Sequence, residues 1–339
     1  MICQPEMIFV TGGTGFLGRH LLAALCRQGR RVRVLTRRPQ EHVWLARYPN
    51  VDVVAGDLRL EADLSAALRG CDAVIHAAAL FSLWGEEREF IATNVDGTRH
   101  LIEGAERANV KRFVYVSTIA VVGEPTAGLV IDEDHPTRPM DAYQRSKLQA
   151  EQVIRQAHER GILDAVIVRP GAFYGPMGDY AFNRLFFTDP MRGIIMQMDG
   201  GRYVIFPTYI GDVVQGVLKA LAHGRSGETY NICGECLTHR QAFDMICREA
   251  NLRYPRLNIP KFIGVGFSRL LEAFSRLTHR EPFYPYNLRS YVFNDWWVTT
   301  AKAERELGFV PTPFAEGVAR TIAWYRAGRP DDWPDVSCE

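Results

Sequence analysis

No apolar run in this chain approaches the ~20 residues that span a bilayer. Its opening, Met1-Ile2-Cys3-Gln4-Pro5-Glu6, has neither the basic start nor the apolar centre of a secretion signal. The expectation is a cytoplasmic protein without an integral membrane segment. Net charge is almost nil: 40 basic against 39 acidic residues leave +1, so no global field recruits nucleic acid. Cysteine is sparse and odd in number, seven in 339 residues, which fits reduced thiols and not a disulfide framework. Repeats and low-complexity tracts are lacking. Cys233-Gly234-Glu235-Cys236 with His239 has no second Cys pair to complete a zinc site. It reads as a turn, with Thr238 capping a helix over 241–250, and no metal is expected.

What the chain does have is a 47% apolar composition, enough for a large core. Short, nearly continuous apolar runs at 6–11, 32–36, 51–55, 72–77, 112–117 and 164–169 alternate with helical patterns at 16–28, 61–69, 86–108 and 141–160. Strand, crossover helix and strand in alternation describe an α/β fold, a doubly wound parallel Rossmann sheet. Beyond about residue 170 the pattern gives way to Gly, Pro and aromatics. The expected division is a dinucleotide-binding domain over 1–170 to which 208–232 returns, and a smaller substrate lobe over 171–207 and 233–330. A polar tail occupies 331–339.

Thr11-Gly12-Gly13-Thr14-Gly15-Phe16-Leu17-Gly18 sits between the first strand and the first helix. Glycines there let the backbone turn sharply and approach a pyrophosphate, whose charge rests on free N–H groups of the helix N-terminus. The second strand then selects the cofactor. An acid about 20 residues past the glycines would hold the ribose of NAD, whereas arginine pairs with the 2′-phosphate of NADP. This chain offers Leu35-Thr36-Arg37-Arg38-Pro39, without an acid. NADP is therefore expected, with NAD the alternative, and Arg37 and Arg38 are the candidate phosphate ligands.

Asp141 followed by Gln144 resembles a capping box, and Gly161 a helix stop. Tyr143 and Lys147, four positions apart, then project from one helix face. A tyrosine of ordinary pKa near 10 becomes an effective base at neutral pH only if its phenolate gains about 4 kcal/mol, some of it from a neighbouring ammonium. Ser117 and Thr118 face opposite ways at the end of the fifth strand, so only one hydroxyl can serve a substrate oxygen.

Together these residues resemble the extended short-chain dehydrogenase/reductase family over nearly the whole chain. Gly12, Gly15 and Gly18 fit its glycine turn, with Thr14, Phe16 and Leu17 between them. Gly56-Asp57-Leu58 is similar to its adenine-contacting turn, His76-Ala77-Ala78-Ala79 to its fourth-strand end, and Asn94-Val95-Asp96-Gly97-Thr98 to its central helix. Val116-Ser117-Thr118 through Gly123 resembles its catalytic-hydroxyl strand and selects Thr118. Arg169-Pro170-Gly171-Ala172-Phe173 resembles the loop passing the nicotinamide, which brings in Pro170 and Phe173. The resemblance implies that Tyr143 is the general acid/base, that Lys147 lowers its pKa and binds the nicotinamide ribose, and that Asn94 supports the hydrogen-bond network.

Ala79-Leu80-Phe81-Ser82-Leu83-Trp84 and the segment 261–307 look most like the dihydroflavonol reductase, 3β-hydroxysteroid dehydrogenase and hopanoid-associated epimerase-like branch. The implied reaction is hydride transfer between a nicotinamide and a secondary alcohol or ketone of a hydrophobic or cyclic small molecule. Two alternatives stand beside it: a nucleotide-sugar epimerase or dehydratase with retained NAD, and a non-catalytic dinucleotide-binding scaffold or redox sensor. The family often forms dimers, so a homodimer is expected. Aromatics at 283–297 and at Phe182, Phe186 and Phe187 read as lobe core or as pocket wall. The apolar pattern Phe262, Ile263, Val265, Phe267, Leu270, Leu271 and Phe274, with Arg269 and Arg276, reads as an inward-packing helix, or as one that touches a membrane.

Overall fold

In the computed structural model, which describes residues 6–60, 63–278, 281–331 and 333, seven strands build one parallel sheet. They are β1 (Met7–Thr11), β2 (Arg31–Thr36), β3 (Val51–Ala55), β4 (Ala73–His76), β5 (Arg112–Val116), β6 (Asp164–Pro170) and β7 (Thr229–Ile232). Their order is β7-β6-β5-β4-β1-β2-β3, so the chain changes direction across the sheet between β1 and β4. Thr11 is in register with both Leu35 and His76. At such a switch point the strand ends part and leave a crevice.

Both sheet faces are covered, which is why the strands are apolar nearly throughout. Ile8, Val10, Val34, Val114 and Val166 lie in one core with residues of α1 (Phe16–Arg27). Phe9, Val74, Phe113, Tyr115 and Ile167 lie in the other, with residues of α2 (Gly97–Arg107) and α3 (Ala142–Glu159). α4 (Ile210–His223) joins the first core through Val213, Val214 and Val217. α5 (His239–Ala250) starts at a full capping box between Thr238 and Gln241. α6 (Lys261–Thr278) and α7 (Phe314–Arg326) follow.

Segment 86–108 is more broken than its sequence pattern predicts. A short helix, Glu87–Phe90, runs into a π-helical turn, Ile91–Asp96, before α2 begins. The extra backbone residue in such a turn re-aims one side chain, and Asn94 sits inside it. The pattern at 61–69 shrinks to Ser65–Leu68; Glu61 and Ala62 lie outside the described residues, as do Met1 to Pro5 and most of the polar tail.

Candidate active site

Two glycines fix the turn after β1. Gly12 adopts φ +73°, and a Cβ there would meet the Ala77 carbonyl carbon at 2.6 Å, so only glycine permits both the conformation and the packing against the β4 end. A Cβ at Gly18 would overlap the Gly12 oxygen, which holds α1 tight beneath the turn. Gly15 is the N-cap of α1, and no side chain caps that end. The free N–H groups and the positive end of the helix dipole are a ready seat for an anion.

This end of α1 lines a cavity of about 840 Å³. Gly12, Thr14, Gly15, Phe16, Leu17 and Gly18 all line it, as do Ala77 and Ala79 from the β4 end, Thr118, Tyr143, Lys147 and Phe173. The remaining candidates do not. Arg37 and Arg38 are exposed beyond the end of β2, where Arg38 pairs with Glu41 at 3.1 Å. Asp57 pairs with Arg59 at 2.6 Å; that arginine, and more weakly Arg37, hold its carboxyl below the usual range. Leu58 and Pro170 are buried structural neighbours, and Ala78 donates its N–H to Thr11 Oγ1 at 3.3 Å.

α3 positions the polar centre. Asp141 accepts the Gln144 N–H at 2.8 Å, but Gln144 Oε1 returns to the Met140 N–H at 2.6 Å instead of to Asp141. The cap is thus one-sided, with the return bond shifted a residue upstream. Tyr143 and Lys147 share the inner face as their spacing predicts, and both are buried. Lys147 Nζ donates to Val116 O at 2.7 Å and lies 4.2 Å from the Tyr115 ring centre. Burial lowers its pKa to about 7, opposed by the Glu151 carboxylate.

Tyr143 departs from the expectation of a lowered pKa. Burial and the nearby Asp141 carboxylate push its phenol well up, and a hydrogen bond with Thr118 opposes them only in part. Desolvation dominates this phenol. A tyrosine in that state holds its proton until a stronger base forms beside it. Thr118 lies two residues past β5, not on it, as the cap of the turn Ile119–Val122. Ser117 also lines the cavity, its buried hydroxyl without a hydrogen-bond partner.

Asn94 is buried behind the site. Its Oδ1 accepts the Leu80 N–H at 2.7 Å, and its Nδ2 donates to Leu80 O at 3.1 Å and Ser146 Oγ at 2.8 Å. Ser146 in turn donates to the Tyr143 carbonyl. The π turn therefore ties the loop after β4 to the helix carrying Tyr143 without reaching the cavity itself.

Several lining residues were beyond sequence reasoning. Phe81 packs 4.8 Å from the Tyr143 ring and 5.4 Å from Tyr180. His239, weighed above only as a zinc ligand, lines the cavity as a neutral imidazole, its pKa lowered to about 4 by burial and its Nε2 unpartnered. Among the described residues no His, Cys, Asp and Glu gather as a metal cluster. Arg329 pairs with Asp179, and Asp331 with Arg19 at 3.6 Å, so the chain past α7 returns to the cavity. No local pattern announces these contacts, because each joins segments far apart in the chain. The aromatics divide: Phe182, Phe186 and Tyr291 line the cavity, Phe293 and Trp296 are core, and Phe283 and Trp297 are exposed.

Comparison with known proteins agrees with this geometry. A profile of the NAD dependent epimerase/dehydratase family matches residues 8–233. A Stigmatella aurantiaca protein named as a 4-hydroxy-2-methyl-3-oxo-4-farnesyl-3,4-dihydroquinoline-1-oxide ketoreductase is 33% identical over 89% of this chain and 91% of its own. A putative dihydroflavonol 4-reductase of Synechocystis is 29% identical over 96% of each chain. The dTDP-glucose 4,6-dehydratase DesIV of Streptomyces venezuelae, solved with NAD bound, superposes with TM-score 0.78 at 28% identity, covering 95% of this chain and 98% of its own. The uncapped α1 end and the glycine turn fit the pyrophosphate of such a cofactor. With profile, relatives and the switch-point cavity in agreement, the chain belongs to the NAD dependent epimerase/dehydratase family and is an enzyme of the extended short-chain dehydrogenase/reductase type.

Proposed function

We propose that this enzyme is an NADP-preferring ketoreductase that acts on a hydrophobic or cyclic small molecule. The observation that carries the reading is the convergence of Thr118, Tyr143 and Lys147 on one cavity with the uncapped end of α1. When bound, the dinucleotide supplies the hydride. Tyr143 gives its proton to the substrate oxygen as charge develops there, and its raised pKa suits a donor better than a base. Thr118 hydrogen-bonds the same oxygen, while Lys147 holds the ribose and places an ammonium behind the phenol. Asn94 keeps α3 and the loop after β4 in register through Leu80 and Ser146.

The apolar substrate class rests on Phe81, Leu83, Phe182, Phe186, Leu288 and Val292 around the cavity. A ketoreductase and a dihydroflavonol reductase among the relatives support it. The NADP preference rests on Arg37 and Arg38 and on the missing acid at the β2 end. A second reading, an internal redox cycle on a sugar nucleotide with retained NAD, is favoured by the likeness to a dTDP-glucose dehydratase.

Mass spectrometry of small molecules released on denaturing fresh protein, followed by NADP and NAD titration of empty sites, separates the two. Ketoreduction predicts empty sites with a preference for NADP. Stoichiometric retained NAD contradicts that and supports the internal cycle, which must keep its cofactor between half-reactions.

A further inference from the structure

Along α6 the side chains that a globular protein hides are turned outward. Phe262 is 76% exposed, Phe267 54%, Leu270 71%, Phe274 65% and Leu277 80%, with Ile263 at 50%. At 3.6 residues per turn these six fall within an arc of about 140°, over a length of about 22 Å. Gly264, Ser268 and Ser275 occupy the buried side, and Val265 and Leu271 pack against a small core that contains Leu83, Leu288 and Val292. The inward expectation therefore holds only for the narrow, small-residue side of this helix. A contiguous apolar face of this size on a water-soluble domain marks an interaction site.

Charge at its edge selects the occupant. Arg269 and Lys261 are exposed, and Arg269 falls immediately beside the apolar arc, held there by Tyr286, to whose hydroxyl it donates at 3.1 Å. Lys261 leans 5.5 Å from the Phe293 ring centre. The helix's single acid, Glu272, is half-buried and accepts the Tyr286 N–H at 3.1 Å. Arg276 completes the count in sequence; its side chain lies outside the description. An apolar face with a cation, Arg269, along one edge and the helix's acid on the side away from it matches acyl chains beneath anionic headgroups. Two copies of this face pressed together would bring Arg269 of each towards the same apolar seam, while the helix's acid, Glu272, is held by the Tyr286 N–H on another side.

We propose that α6 is an interfacial helix that seats the enzyme on an anionic lipid bilayer, lying in the plane of the membrane and not across it. No helix among the described residues is long and apolar enough to cross one. The small core beneath α6 shares Leu83, Leu288 and Val292 with the cavity lining, so docking sets the apolar end of the cavity close to the bilayer surface. A ligand dissolved in lipid then has a short path to the site. The docking itself rests on the exposed face and is independent of the ketoreductase reading.

The test is flotation of the full chain with extruded vesicles of phosphatidylcholine alone or mixed with phosphatidylglycerol, at low and high salt. The wild type is expected to float with the phosphatidylglycerol vesicles and to release as salt rises. Leu270→Glu with Phe274→Glu should cut the bound fraction at least tenfold with an unchanged melting temperature, because both side chains face solvent. Arg269→Glu should weaken binding to the anionic vesicles alone. Wild type that floats with neither vesicle, or a double variant that floats as well as wild type, overturns the proposal. So does a dimer in solution that the double variant splits, since the face would then belong to a second copy.

Discussion

Lys147 is held in surroundings that disfavour its charge. It is an amine enclosed beside an aromatic ring, with its pKa brought down to about 7 by burial. Below that pH both folded and unfolded chains carry the charge, and the full cost of burying it falls on the fold. Between about 7 and the ordinary value near 10.4, the unfolded chain binds more protons and stability rises with pH. Lys147→Met should therefore gain most in melting temperature near pH 6, and the gain should shrink towards pH 10. An equal difference at both ends, followed by thermal unfolding, contradicts a buried lysine of this kind. Arg37 tests the cofactor preference at the same scale. Losing a bidentate guanidinium–phosphate contact should weaken NADPH about 10- to 100-fold and leave NADH unchanged, read by titration calorimetry. That Tyr143 and Lys147 share one buried face of α3 was legible, because helix spacing is a local pattern; strand alternation left Ser117 and Thr118 open, and the resemblance selected Thr118. The pKa of Tyr143 was not legible, since its largest cause is burial, to which Phe81 contributes from a distant segment.

Elements were legible where period and punctuation agree. Phe16–Arg27, and the helix after Asp141, fall within a residue or two of their predicted bounds. The π turn holding Asn94 was not, because its apolar pattern continues that of the helices on either side. What joins β6 to α3 was also hidden. Arg169 and Glu151 form a two-pronged ion pair at 2.8 and 2.6 Å, both ends buried. Burial alone would raise the Glu151 pKa, but Arg169 overrides it and holds the carboxyl low. Arg169→Met leaves that carboxylate without its main partner and should cost about 3–5 kcal/mol of stability in urea unfolding. Because Glu151 lies one turn beyond Lys147, this pair also fixes the helix that carries the reactive face. A cost under 1 kcal/mol would show that the pair does not brace α3.

For the whole molecule, alternation of apolar runs and helices was enough to recover the sheet, since each βαβ unit is local and right-handed crossovers leave few arrangements. The cavity walls contributed from beyond residue 170 were not recoverable, because Tyr180, His239 and Arg329 reach it by contacts that no short pattern encodes. The glycine turn, the β4 end, α3 and these later segments meet at one switch point, and the proposed reaction is a property of that meeting. Its central claim is that the Tyr143 hydroxyl moves the proton. The most direct measurement follows NADPH consumption with a panel of hydrophobic cyclic ketones, for wild type and Tyr143→Phe, alongside NADPH titration of both. Ketone-dependent oxidation of NADPH is expected, falling at least 10³-fold in the variant, roughly the contribution of a positioned general acid, with cofactor affinity unchanged. A variant that turns over at the wild-type rate would contradict it.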